Sequence, residues 1–319
     1  MRRRALLAAA MFPALKPAVA QGVWPTRPIR FVVPWAPGGS TGVIGRIVSE
    51  AMSPTVGQPL VLDHRPGAGG SVGSDNVAKS PPDGYTILLA GAATFYRPLI
   101  DKDTPFDPAR DFGFVGLIGV GPFGLVTRTG LPVTLPEFLA HARNNPGRLS
   151  FASSGQYSTS HLAAEMLNRG AGIDAVHVPY PGTGPAVIDL VAGRIDYFFS
   201  DLSTILEHVR SGRVTLIGVT TTSRVPQVPN VPTISEAGLP GYSATPWWGV
   251  CCPAGVPEPV VDRLSAALRE SLAQRSVVDG LDRQGCTATP MTSVQFASFV
   301  RSENEKWSAL IRAIGPTPG

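Results

Sequence analysis

The stretch WAPGGSTGVIGRIVSEAM, Trp35 to Met52, decides the fold. Just before it, Ile29 to Val33 is an apolar run of strand length. Inside it, Val43, Ile44, Ile47, Val48, Ala51 and Met52 recur at helical spacing. The pattern predicts a strand, a Pro/Gly-rich turn and an amphipathic helix whose apolar stripe packs on a sheet. The helix then starts beyond the strand end with its first N–H groups unpaired, and a terminus of that kind attracts anions.

Gly38, Gly39, Ser40, Thr41 and Gly42 also spell GxSxG, the nucleophile elbow of serine hydrolases. An elbow needs a tight turn directly off the strand, whereas Pro34 and Pro37 open this one into a longer loop. Its histidine partner belongs in a late loop, yet the last histidine is His208. A secreted hydrolase using Ser40 is therefore the rival reading, and geometry rather than five letters decides it.

At 319 residues the chain is long enough for two α/β domains. Its 35 glycines and 32 prolines predict many loops. The formal charge is +4, but Arg2, Arg3, Arg4 and Lys16 supply it, leaving 23 basic against 23 acidic residues after position 20. Without a basic stripe, nucleic acid is not an expected partner. MRRRALLAAAMFPALKPAVA has a basic start, an apolar run from Ala5 to Leu15 and a small-x-small end at Ala18 and Ala20, and reads as a signal peptide over 1–20. Cys251, Cys252 and Cys286 have no metal-ligand spacing. They read as buried small apolar residues, with a bond from Cys251 or Cys252 to Cys286 as the alternative that export permits. Neither a metal nor a cofactor is expected.

Outward from the opening unit, Leu60 to Leu62 is a second strand, Gly67 to Gly70 a glycine-rich turn, Tyr85 to Gly91 a buried strand, and AATFYRP its outgoing loop. Strand, helix, strand, helix, strand is the parallel doubly wound pattern, in which ligands sit beyond the carboxyl ends of the strands. Trp35 to Thr41 and Ala92 to Pro98, with Thr94, should therefore share a rim. Gly119, Gly121 and Gly124 form GxGxxG, but LVTRTG follows instead of a helix, so this stretch reads as a strand passing between domains.

A second α/β run begins with a capping box at Thr134 and Glu137. LSFASSGQYSTSHLAAEML, Leu149 to Leu167, repeats the opening plan of strand, Ser/Gly-rich turn and helix. Thr233 and Glu236 form a second capping box, and Ala244 to Pro257 a second connecting strand. Helices over Pro259 to Gln274 and Ser293 to Ile314 finish the chain. The expected domains are 21–122 with 246–319, and 123–245, a clamshell joined by two crossing strands.

Six stretches in order, WPTRPIRFVVPWAPGGST, RPGAGGSVGSDNVAKSPPDGYTILLA, FASSGQYSTSHLAAEML, HVPYPGTGPAVIDLVAGRID, VPTISEAGLPGY and WWGVCCPAGVPEPVVDRL, resemble the receptor component of tripartite tricarboxylate transporters, also called the Bug receptor family. The resemblance implies an exported type II periplasmic binding protein that captures small organic anions, mostly carboxylates; a monomer that performs no catalysis and delivers its ligand to membrane permease subunits is the expectation. It also implies that ligand is held by turns matching Pro37 to Thr41 and Ser153 to Thr159. The sequence departs from the family at Gly42, usually acidic, at Gln156 and Tyr157, and at Pro181, usually lysine.

The candidate ligand-binding residues are Trp35, Gly38, Gly39, Ser40, Thr41, Thr94, Ser154, Gly155, Tyr157, Ser158, Thr159, Tyr180 and Ser200. The hydroxyl residues compete with a role as helix caps, and the aromatics with packing. Gly182, Thr183 and Gly184 form a third turn on the same rim. Asp201 near a bound anion would repel it unless it orients a water, meets a ligand hydroxyl or caps the next helix. Trp247 and Trp248 read as hinge or core, and His161 and His177 as structural histidines. A sensory protein that presents its loaded form to a signalling partner is a further alternative that sequence does not separate from uptake.

Overall fold

The computed structural model describes residues 24–35, 37, 40–180 and 182–314. The signal peptide, Gly38 and Gly39 lie outside the described residues. The first half builds β1 (Ile29–Val33), α1 (Ser40–Val56), β2 (Leu60–His64), α2 (Ser71–Ala78), β3 (Thr86–Gly91), α3 (Ala92–Ile100) and β4 (Phe112–Val120). Then come β5 (Phe123–Arg128), α4 (Leu135–Arg143), β6 (Leu149–Ser153), α5 (Thr159–Ala171), β7 (Ala175–Pro179), α6 (Thr183–Val191), β8 (Tyr197–Asp201), α7 (Leu202–Arg210), β9 (Val214–Val219) and α8 (Ile234–Ala237). The chain ends with β10 (Trp247–Pro253), α9 (Glu258–Leu272), α10 (Arg275–Arg283), β11 (Thr287–Ala288) and α11 (Ser293–Ile314).

Two sheets result, in the orders β11-β4-β10-β3-β1-β2 and β7-β6-β8-β5-β9. In the first, β1 is parallel to β2 and β3, while β10 runs antiparallel to β3 and β4. In the second, β6 is parallel to β7 and β8, while β5 runs antiparallel to β8 and β9. Each sheet thus sets a reversed strand, β10 or β5, next to its parallel core, and the short β11 runs reversed at the edge of the first. Alternation along the strands fills both faces: Ile29, Phe31 and Val33 join one core and Val32 another, just as Tyr197 and Phe199 are separated from Phe198.

The chain passes between sheets at Gly121–Pro122 and again at Thr245–Pro246. These passages hold each other, since Gly121 N–H donates to the Pro246 carbonyl at 2.8 Å. Just beyond, Phe123 N–H donates to Thr220 Oγ1 and Thr220 N–H to the Phe123 carbonyl, both at 3.0 Å. The GxGxxG glycines serve packing here. A Cβ at Gly119 would lie 2.4 Å from the Thr287 carbonyl oxygen, and one at Gly121 would lie 2.7 Å from that of Gly285.

Several elements differ from the sequence expectations. AATFYRP is not a loop but most of α3, which tolerates Pro98 in its last turns. α10 follows α9 as a separate helix, and β2 continues to His64. The Thr233–Glu236 capping box forms in full, but Thr134 Oγ1 turns to Glu137 Oε2 at 2.8 Å and leaves the α4 backbone uncapped. Cys251, Cys252 and Cys286 are buried and free, so the disulfide alternative fails. Burial drives all three thiols upward in pKa, Cys252 to about 12, which keeps them protonated and inert.

Candidate ligand cleft

A cavity of about 860 Å³ opens beyond the carboxyl ends of the parallel strands, with walls from both sheets. The first sheet contributes Trp35, Ser40 and Thr41, the Pro66 to Gly70 loop and one side of α3. The second contributes Ser154 to Ser160, then Tyr180, Gly182 and Asp201. Phe123, Pro246, Trp247 and Trp248, at the crossings, close its base.

The turn entering α1 is fixed by partners far away in sequence. Trp248 Nε1 donates to Thr41 Oγ1 at 3.1 Å. His64 Nδ1 reaches the Trp35 carbonyl at 2.9 Å, which requires the proton on that nitrogen. α2 presses on the same turn through Gly73, where a Cβ would lie 2.7 and 2.8 Å from Pro34 Cβ and Cα. Ser40 makes no side-chain hydrogen bond, to a histidine or otherwise, among the described residues, and His64 spends its Nδ1 on the Trp35 carbonyl.

The turn entering α5 is fixed by itself. Ser160, buried, accepts from Ser154 N–H at 3.0 Å, and its Oγ lies 3.0 Å from the hydroxyls of both Ser154 and Ser158. Ser158 caps α5 by accepting from His161 N–H at 3.3 Å. Tyr157 N–H donates to His161 Nδ1 at 3.0 Å, and Ser153 Oγ lies 2.7 Å from His177 Nε2. The backbone is tight enough to put Tyr157 at φ 57°, a left-handed conformation costly for an aromatic residue, two positions after Gly155 at φ 134°.

The imidazoles of His161 and His177 stack with centroids 3.9 Å apart, and Phe151 stacks on His177 at 4.9 Å. Burial, and for His161 the neighbouring ring, lowers their pKa values to about 3 and about 4. Both are therefore neutral, hydrogen-bonded supports beneath the turn, as the structural reading of these histidines expects. The α5 turn meets the first lobe through Tyr96 of α3, whose hydroxyl donates to the Tyr157 carbonyl at 3.2 Å and lies 3.3 Å from Thr159 Oγ1.

Of the sequence-predicted residues, Trp35, Ser40, Thr41, Ser154, Gly155, Tyr157, Ser158, Thr159 and Tyr180 line the cavity. Thr94 does not: it is 4% exposed, within α3, while Ala92, Ala93, Tyr96 and Arg97 carry that wall. Ser200 does not either. Alternation along β8 gives the cavity Phe199 and Asp201 and leaves Ser200 1% exposed between them. Tyr180 is also committed sideways, donating to Asp189 Oδ2 at 2.8 Å.

Arg97 belongs to the Ala92 to Pro98 stretch expected on the rim but is not among the candidate binding residues. It lines the wall beside Gly69, with Nη2 on Asp101 at 3.1 Å and its buried Nε without a partner among the described residues. Asp201 lines the opposite lobe, and burial pushes its carboxyl up to about 6. Helix periodicity locates α3 residues only once the helix itself is recognised. Ser160 carries no sequence signal beyond being one serine among several.

A family model for the tripartite tricarboxylate transporter family receptor matches residues 44–316. A protein of Pseudomonas sp. strain P51, described by its place in the tcbD-tcbE intergenic region, is 40% identical over 97% of this chain and 94% of its own. MatC from Rhodopseudomonas palustris, solved with bound malate, superposes with a TM-score of 0.80 at 33% identity, covering 90% of this chain and 99% of its own. A second R. palustris protein, solved with adipate, reaches 0.83 at 31% identity, covering 90% and 97%. The fold is that of type II periplasmic binding proteins, two doubly wound α/β sheets joined by two crossing strands. With cleft, fold and matched length in agreement, this chain belongs to the tripartite tricarboxylate transporter receptor family, whose members are solute-binding receptors and not enzymes.

Proposed function

We propose that the protein is an exported, periplasmic receptor that encloses a small organic carboxylate between two lobes, 21–122 with 246–319 and 123–245, and delivers it to membrane permease subunits. The observation that carries this reading is the cavity wall, where the starts of α1 and α5 meet Arg97 in one space. Each helix start supplies about half a positive charge, and Arg97 adds a guanidinium whose charge is partly offset by its pairing with Asp101. Backbone N–H groups at such starts make charge-assisted bonds of roughly 1.5–3 kcal/mol each, so a few suffice for micromolar affinity, about 8 kcal/mol, after the cost of immobilising the ligand. The relatives solved with malate and adipate support the carboxylate class.

A thermal-shift panel of small organic acids on the exported protein tests this. A true ligand at ~100 times its dissociation constant should add ~2.7 kcal/mol of stability. No stabilisation by any acid overturns the reading. Uptake rather than sensing is tested by deleting the gene and measuring accumulation of the ligand so found.

A further inference from the structure

We infer that Asp201 makes the second-lobe end of the cleft select a ligand carrying an ammonium group, so that this receptor prefers an amino-substituted monocarboxylate to a dicarboxylate of the same length. The inference rests on the carboxylate-receptor reading and specifies its substrate class.

Asp201 closes β8 and precedes α7, the position from which a carboxylate ordinarily caps a helix. It makes no such bond. It also forms no ion pair with any Lys, Arg or His among the described residues, in a chain where fourteen such contacts are made by other acids and bases. Instead it lines the cavity, where it is the only carboxyl and Arg97 the only full cation among the described lining residues. The other ionisable groups on that wall are the phenols of Tyr96, Tyr157 and Tyr180.

An acid in an anion cleft is costly twice over. Half-buried and bonded only to its own backbone N–H among the described residues, it loses solvation, and burial outweighs that bond, which is why its carboxyl holds its proton to about pH 6. Ionised, it repels a carboxylate placed at the same end of the cleft. Both costs vanish if the occupant brings a cation there. The cleft is therefore bipolar: helix starts and Arg97 suit a carboxylate, and Asp201 suits an ammonium. A dicarboxylate can bind only by leaving its second carboxylate elsewhere or by taking up a proton on Asp201.

Calorimetry on the exported protein at pH 7.5 with two matched pairs decides the matter: 4-aminobutyrate against glutarate, and 5-aminopentanoate against adipate. Members of each pair share the methylene number and differ by one terminal group. The expected result is that the amino acid binds about tenfold or more tightly in at least one pair, since unlike against like charge in a desolvated site is worth more than ~1.4 kcal/mol. Asp201→Asn should cancel or invert that ratio while the protein still melts cooperatively. A tighter dicarboxylate in both pairs on the native protein overturns the inference alone, with no need of the variant. A preference for the amino acid that Asp201→Asn leaves unchanged overturns it as well. Binding of none of the four overturns the inference alone, since the reading beneath it is decided by the wider panel of organic acids.

Discussion

The turn entering α1 is held from outside, by Trp248 on Thr41, His64 on the Trp35 carbonyl and Gly73 against Pro34, whereas the turn entering α5 is held from within, by Ser160, Ser153 and His161. The same plan of strand, turn and helix therefore gives two kinds of cradle. In the first, Ser40 has no side-chain partner among the described residues, which suits its hydroxyl to an occupant. In the second, the hydroxyls of Ser154 and Ser158 are already spent on Ser160, so contact there falls to the backbone and to Thr159. Repetition of a sequence pattern does not carry repetition of chemistry.

The strongest way to break the comparison is Gly73→Ala. The new methyl would sit within 3 Å of Pro34 Cα and Cβ and of the Arg65 carbonyl, two of the three being backbone. The first turn must move or α2 must lift, at a cost of about 1–3 kcal/mol. Ligand affinity should fall further than stability, because the displaced element is the cradle itself. Melting and calorimetry on the same preparation check it, and unchanged affinity in a destabilised variant would show that α2 does not position the turn.

Ser160→Ala makes the corresponding attack on the second turn. It strands the Ser154 N–H and removes the shared partner of two hydroxyls, so a loss of about 2 kcal/mol is expected. Hydrogen exchange should reveal faster opening over Ser153 to Tyr157 and no change at Thr41. Equal protection of both turns would mean that they are not independently braced.

Acid should also distinguish the two. The His161 and His177 pKa values lie below the ordinary imidazole value, so the unfolded chain takes up protons first. The stability owed to the neutral pair is complete above about pH 6.5 and is lost as pH falls toward about 4 and then 3, at up to about 1.4 kcal/mol per pH unit per imidazole. Asp201 works the other way over part of this range: its raised carboxyl favours the fold as pH falls from about 6 toward 4. Burial raises the Glu165 carboxyl beside His161 in the same sense as Asp201, so the fall in denaturation free energy should be clearest just below pH 6.5, where the unfolded imidazoles begin to charge. In His177→Gln the fall should be shallower, and an unaltered slope would deny the pair its supporting role.

How much of this was readable in advance depends on whether a residue's role is local. Strand alternation around Ile29 to Val33, the stripe of α1 and the capping box at Thr233 all express short-range rules, and they appear as read. Thr134 obeyed the same capping pattern and failed, because its hydroxyl found the Glu137 carboxylate before the backbone. Ser200 and Asp201 show the limit more sharply. One residue of register decides which of them faces the cleft, and register is set by pairing of β8 with β5 and β6, not by the letters of β8. Arg97 was hidden by Pro98, which suggests a break but stands where α3 is about to end. The departure at Gly42 also acquires a cause: any side chain there would meet His64 Cε1 at 3.2 Å, crowding the ring that holds the Trp35 carbonyl.

The smallest effect comes from Ser40→Ala, and it sharpens the comparison most finely. Because Ser40 has no side-chain partner among the described residues, the variant should melt within about 0.5 kcal/mol of the parent. If the hydroxyl meets the bound carboxylate, affinity should drop several-fold, about 1 kcal/mol, and no further, since the helix start and Arg97 remain. Ser158→Ala should show the reverse: measurable destabilisation from the lost cap, about 1 kcal/mol, with little change in affinity. A pair of serines at equivalent places in two equivalent turns would then report separately on binding and on folding. Should Ser158→Ala weaken binding as much as Ser40→Ala does, the second turn offers its hydroxyl to the ligand after all, and the internal network around Ser160 must rearrange when the cleft is filled.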